Sequence, residues 1–261
     1  MSDLALPALR PVSPLRDGLT MVARGVRLST RSVDALILSL ALPVMLMLLF
    51  VYLFGGAIDT GGQYVTYVVP GVILLCAGFA SAQTAVGVAQ DMRGGVIDRF
   101  RSMGISGPAM LSGHVVASVL RNAVATVMVI GVAFAIGFRP SAGLGEWLGT
   151  AGILLAFMVA ISWLAAAVGL LAGDPEVAAG FTFFVSFLPY PSSAFVPVET
   201  MPSWLQSIAL HQPVTPVVES VRGLLLDLPV GAHAWQGLAW CGGIIAVSVV
   251  ASAVLFRRRT S

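Results

Sequence analysis

The chain has 261 residues, of which 57% are apolar and only 10% charged, with a formal net charge of +2. That excludes a soluble globular domain, which needs more charge on its surface, and describes a membrane protein. The 14 basic residues are all arginine, which also excludes a P-loop, Schiff-base chemistry and a lysine general base.

Residues 1–14 carry Pro7, Pro11 and Pro14 and read as a poorly ordered tail. Residues 15–32 read as a basic amphipathic helix. Leu15, Leu19, Val22 and Val26 fall within roughly 60° on a helical wheel, and Arg16, Arg24, Arg27 and Arg31 lie opposite. Such a helix lies flat in the membrane interface, attracted by anionic lipid; a plain solvated helix is the bland alternative. A signal peptide does not fit, because the charged lead is too long and the following apolar run is long enough to remain as a span.

The first span is predicted over 33–58, with Pro43 as a kink point, and the second over 63–90. In the second, Ala77, Ser81, Ala85 and Ala89 repeat every four residues, a spacing that lets helices approach closely in lipid. Between spans two and three lies the one internal charged island, within residues 88–108. It holds Asp91, Arg93, Asp98, Arg99 and Arg101. After Gly94 and Gly95, Val96, Phe100 and Met103 recur at helical spacing, and Gly104, Gly107 and Pro108 stop the helix. A loop that only set topology would not need Phe100 and Met103 in register, so 91–107 is read as a docking rod for a partner.

The third span is predicted over 109–138. Arg121 lies about 25 Å of helix from Phe138, which places it near the inner interface, where it can snorkel. The fourth span is predicted over 145–172 and is followed by a tight turn at 173–176. The fifth, over 176–196, is interrupted by Pro189 and Pro191; such a break needs cover from protein or from a water-lined cavity. The stretch 199–227 reads as two short helices re-entering the outer leaflet, with Trp204 and His211 at headgroup level. The sixth span, 233–256, ends at Arg257, Arg258 and Arg259.

The arginines orient the chain. Arg10, Arg16, Arg24, Arg27, Arg31, Arg93, Arg99, Arg101 and the terminal triplet fall on one side, while Arg139 and Arg222 fall on the other. Both termini are therefore expected in the cytoplasm, with the chain multi-pass in the plasma (inner) membrane. The expected fold class is all-α, a polytopic membrane protein with six transmembrane helices, an N-terminal interfacial helix, a cytoplasmic docking helix and an outer re-entrant hairpin. Cys76 and Cys241 lie in apolar runs without metal spacing and read as buried packing. Nothing points to nucleic acid.

Two other classes share part of this pattern. Gly104-Ile105-Ser106-Gly107 matches the GxSG of rhomboid intramembrane proteases. His211 and His233 would lie a bilayer away from Ser106, however, and His114 has no evident residue to orient it as a base. A secondary carrier needs ionisable groups at mid-membrane, and only Arg121 is a candidate.

The order of elements, with the residues Gly95 to Arg101, the outer runs Ser193 to Pro197 and Met201 to Gln206, Gln212 to Pro216 and Arg222, resembles a permease of the ABC-2 type exporters, in particular the daunorubicin-resistance-like branch. The resemblance covers nearly the whole chain. It departs from the family pattern at Gly104, where a proline is usual, and at Gln212, where an asparagine is usual. What the resemblance implies is a permease without catalytic residues or a cofactor of its own. It pairs with a second permease subunit, identical or different, and with two ATPase subunits that hold ATP and magnesium. Arg93, Gly95, Val96, Asp98, Arg99, Phe100, Arg101 and Met103 would form the coupling helix, beside the interfacial helix. Pro197, Met201, Pro202, Trp204, Pro213 and Arg222 would shape the outer hairpin. Met47, Phe50, Phe79, Phe187 and Tyr190 are candidates for the pathway of a drug, natural product or lipid, though core packing explains such a list equally well. A polysaccharide-exporting permease shares the outline.

Overall fold

The computed structural model describes residues 33–58, 62–94 and 107–260. The interfacial helix expected over 15–32, and within the docking rod residues 95–106, lie outside the described residues. Every regular element among the described residues is helical.

Helix α1, Val33–Leu49, contains Pro43 and continues as a π-helical turn, Phe50–Phe54. Helix α2 is Tyr64–Arg93, α3 is Gly107–Ala135 and α4 is Leu144–Ala172. Helix α5 is Pro175–Ser186, α6 is Ser203–His211, α7 is Val214–Leu225 and α8 is His233–Thr260. Among the described residues, four stretches, Tyr64–Arg93, Leu111–Ala135, Leu144–Ala172 and His233–Leu255, are long and apolar enough to cross a membrane. Helix α5 is not: its 12 residues give about 18 Å of rise, well short of a hydrocarbon core. Residues 187–195 then run as consecutive turns. Pro189 and Pro191 cannot donate to a helical ladder, and this is why the helix stops where the sequence suggested a break.

Helix α2 is the spine. Its most apolar stretch is 78% buried, against 17% for α8, so α2 is core and α8 is periphery. It packs against α3, α4, α5 and more lightly α1, while α8 lies on α4 and α7. Ala77, Ser81, Ala85 and Ala89 are all buried, in agreement with the packing face read from their spacing. On the facing helix, a Cβ on Gly169 would stand 2.4 Å from the Ala85 carbonyl oxygen. Glycine there lets α4 cross α2 at backbone contact. In lipid, where apolar surface gains nothing from leaving the solvent, such close packing is the main attraction between helices. Cys76 and Cys241 are buried free thiols.

Gly169→Val is therefore expected to force α4 off α2 and to destabilise the protein by about 1–3 kcal/mol, the usual penalty of overpacking. Gly152→Val, on the same helix but with open space around it, should leave the thermal unfolding midpoint in detergent unchanged.

Candidate functional site

The broken stretch after α5 would expose a row of carbonyls and amides to an apolar surrounding, where each unsatisfied group is costly. The structure supplies a partner for them from four directions. The Tyr64 hydroxyl donates to the Phe195 carbonyl at 2.8 Å, and the Tyr67 hydroxyl to the Ser193 carbonyl at 2.9 Å. Arg222 Nη2 donates to that same Ser193 oxygen at 2.8 Å. The Gln212 amide donates to the Pro191 carbonyl at 2.5 Å, and Ser193 N–H reaches Thr215 Oγ1 at 3.4 Å. Within the stretch, the Ser192 hydroxyl donates to the Pro189 carbonyl and accepts from Ala194 N–H. The turns can lie directly on α2 because Gly71 has no Cβ; one built there would sit 2.6 Å from Ala194.

Arg222 is the hub of this end. Only 5% of it is exposed. Its guanidinium lies 3.8 Å from the centroid of the Tyr67 ring, donates through Nε and Nη2 to the Tyr67 carbonyl at 3.3 and 3.1 Å, and pairs with Glu219 at 2.6 Å. Pro70, inside α2, has no N–H for the Thr66 carbonyl and its ring crowds that carbonyl, so the helical ladder is interrupted next to Tyr67. Val217, Val218, Val221 and Leu225 on the same helix are buried; α7 is therefore wedged into the bundle against α2, α4 and α8. By contrast, α6 leaves Trp204, Ile208 and Leu210 exposed. Pro197 begins a short 3-10 turn that ends at Met201, Pro202 and Pro213 precede α6 and α7, and Gln206 fastens the turn by donating to the Met201 carbonyl at 2.8 Å.

A chain of aromatic rings runs from α5 through the break to α1. Phe183 meets Phe187 at 4.6 Å between centroids, Phe187 meets Tyr190 at 5.1 Å, Tyr190 meets Phe195 at 5.2 Å, and Phe195 stacks on Phe50 at 4.7 Å. Phe50 in turn meets Phe54 at 5.5 Å. Of the pathway candidates, Phe50, Phe187 and Tyr190 fall on this track. Met47 is fully buried in the core, and Phe79 is half-buried against it.

At the opposite end, α2 stops at Arg93 with Gly94 as its cap. Arg93 Nη1 donates to Asp174 Oδ2 at 2.8 Å. Asp174 is also the N-cap of α5: its Oδ1 accepts from Glu176 N–H at 2.9 Å, and Pro175 follows as the first helical residue. His114 Nε2 lies 3.0 Å from Asp91 Oδ2. The sequence reading that nothing orients His114 is thus corrected: Asp91, one helix away and 23 residues back in the chain, holds its ring. Ser106, Gly95, Val96, Asp98, Arg99, Phe100, Arg101 and Met103 lie outside the described residues, as do Arg16, Arg24, Arg27 and Arg31.

Between the two ends, α2, α3 and α4 share a polar seam. Asn122 donates to Ser81 at 3.0 Å, Arg121 to Thr84 at 3.0 Å, and Ser162 to Ser118 at 2.8 Å. Arg121 is thus turned onto α2.

Sequence reasoning missed Tyr64 and Tyr67, and it counted Arg222 only as an outer arginine and hairpin residue. The signal available was two tyrosines one helical turn apart, just ahead of Pro70. The Asp174-Pro175-Glu176 run, read as a turn, is also a helix-start pattern, an N-cap acid followed by proline and an acidic first turn.

The profile of the ABC-2 type transporter family matches residues 17–226. The daunorubicin resistance ABC transporter permease protein DrrB1 of Streptomyces coeruleorubidus is 32% identical over 225 residues, covering 84% of this chain and 78% of that protein. The probable doxorubicin resistance ABC transporter permease protein DrrC of Mycobacterium tuberculosis is 24% identical over 225 residues, covering 85% of this chain and 82% of that protein.

Replacing Arg222 by Met keeps its bulk but strips the Ser193 and Tyr67 carbonyls of a charged donor. The expected loss is about 2–3 kcal/mol, the scale of a hydrogen bond to a charged group. Tyr67→Phe should cost about 1 kcal/mol, as for a neutral hydrogen bond. Arg222→Lys should recover little, since an ammonium lacks the planar fork that serves two carbonyls and a carboxylate together. Thermal unfolding of the purified variants in detergent measures all three.

Proposed function

The chain belongs to the ABC-2 type transporter family, and on that premise we propose that it is the permease subunit of an ATP-driven exporter of a hydrophobic or amphiphilic compound. It is an integral membrane protein, related to permeases of drug-resistance ABC transporters. Two such subunits, identical or different, line the path between them, and two cytoplasmic ATPase subunits supply the energy, with ATP and magnesium held on those chains. What supports this reading is the sequence of the island at 88–108: a lysine-free chain, which has no P-loop, carries a charged stretch in which Val96, Phe100 and Met103 recur at helical spacing, the pattern expected where an ATPase would dock.

In this reading the α2–α3 junction, with Arg93 at its root, faces the cytoplasm, together with both termini. The four long helices are joined as spans by α1 with its π-helical extension, and by α5 with the turns that follow it. The hairpin of α6 and α7 closes the outer side. The cargo moves outward or out of the inner leaflet, along a surface that includes the ring track of Phe183, Phe187, Tyr190, Phe195 and Phe50. Stacked rings offer apolar area and quadrupole contacts to an amphiphile without demanding a fixed hydrogen-bond pattern. A drug, natural product or lipid meets that description.

The test is co-purification. The chain is co-expressed with its neighbouring ATPase and isolated through a tag on the permease alone. The ATPase should be recovered with the wild type and lost with Phe100→Asp combined with Arg101→Glu. No recovery with a well-expressed, monodisperse wild type would overturn the exporter reading.

A further inference from the structure

From the Arg93–Asp174 contact we infer that Asp174 is a positioning residue that transmits movement of the α2–α3 junction to α5, and through it to the ring track and the outer break. The inference rests on the exporter reading and goes beyond it by naming the joint.

Asp174 holds two elements with its two oxygens. Oδ1 caps the first turn of α5, and Oδ2 takes the guanidinium of Arg93. These two residues are 81 positions apart in the chain, so the contact ties the root of the 95–106 segment to the start of a helix far along the sequence. The last turn of α2 is also gripped from its other side. Asp91 and Arg93 are two residues apart, hence about 200° around the helix, and Asp91 meets His114 of α3. Displacement of the junction therefore pulls on α3 and α5 through separate contacts.

Helix α5 is built to respond as a unit. It is one short rod, with Thr182 and Ser186 hydroxyls back-bonded to carbonyls one turn earlier. Its seat on α2 is smooth: Ala178 packs on Ala85 and Ala89, and Gly78 faces the Ser186 backbone. A rod on such a surface can slide without unlocking interdigitated side chains, which is the shear mode of helix motion. Beyond its far end, Phe187 begins the turns whose carbonyls are held by Tyr64, Tyr67 and Arg222. The Arg93–Asp174 pair is exposed, with side chains 68% and 38% accessible, so it adds little to stability. What it supplies is a connection between two elements that can move.

The test uses the permease–ATPase complex in lipid nanodiscs, with spin labels on Leu148→Cys of α4 and Phe184→Cys of α5, both exposed positions. The distance between them is measured without nucleotide and with ADP-vanadate trapped. Asp174→Ser retains a capping hydroxyl for Glu176 N–H but has no charge for Arg93; Arg93→Ala removes the other partner. In the wild type the trapped state is expected to shift the distance. The shift should be lost in each of these variants, kept in Arg93→Lys, and no smaller in the double variant than in either single one, as for two halves of one link. A wild type without a shift, or a shift retained in Asp174→Ser, would overturn the inference while leaving the exporter reading intact. Failure to recover the ATPase with the wild type overturns the exporter reading itself, and this inference with it.

Discussion

A backbone that leaves helical geometry among apolar surroundings must find hydrogen-bond partners in the protein, and in this fold Tyr64, Tyr67, Gln212, Thr215 and Arg222 supply them, Arg222 being the one that brings a charge. One guanidinium reaches a carbonyl of α2, a carbonyl of the broken stretch, and the carboxylate of Glu219. A buried charge is expensive when alone, and tolerated when every donor direction is filled. Here the charge and the exposed carbonyls solve each other's problem. The consequence is geometric: α7 cannot move away from α2 without uncovering both, so the hairpin is part of the core rather than a loop laid over it.

Helix α2 carries contacts at both ends and along its length. Near one end Tyr64 and Tyr67 hold the break, in the middle Ser81 and Thr84 meet α3, and at the other end Asp91 and Arg93 meet α3 and the start of α5. These contacts differ in kind. At the break they are buried and numerous; at the Arg93 end they are a part-buried contact to His114 and an exposed ion pair to Asp174, the latter weak in high dielectric. A single rod held firmly at one end and loosely at the other transmits displacement more readily than it stores it.

What the sequence made legible is what depends on local pattern. Long apolar runs marked α2, α3, α4 and α8, the four-residue repeat of small side chains marked the face of α2, and two prolines marked the end of α5. What was not legible depends on pairs far apart in the chain: Tyr67 with Ser193, separated by 126 positions, and Arg93 with Asp174. No local signal tells a topology-setting arginine such as Arg139 from one that is folded inward such as Arg222. His114 was misjudged for the same reason, since its partner sits on the preceding helix. The charged island was read as a docking element from its residues; its ends, with Asp91 and Arg93, are described, and residues 95–106 lie outside the described residues.

The order in which the ribosome releases these parts gives the break a further meaning. The prolines and the bare carbonyls of 187–195 leave the ribosome before Gln212, Thr215 and Arg222. Tyr64 and Tyr67 are already in place by then, but they cover only two carbonyls. Between the synthesis of α5 and that of α7, the nascent chain holds a stretch whose polar backbone is half-served. The cover of the break is therefore complete only once the penultimate helix, α7, has been made.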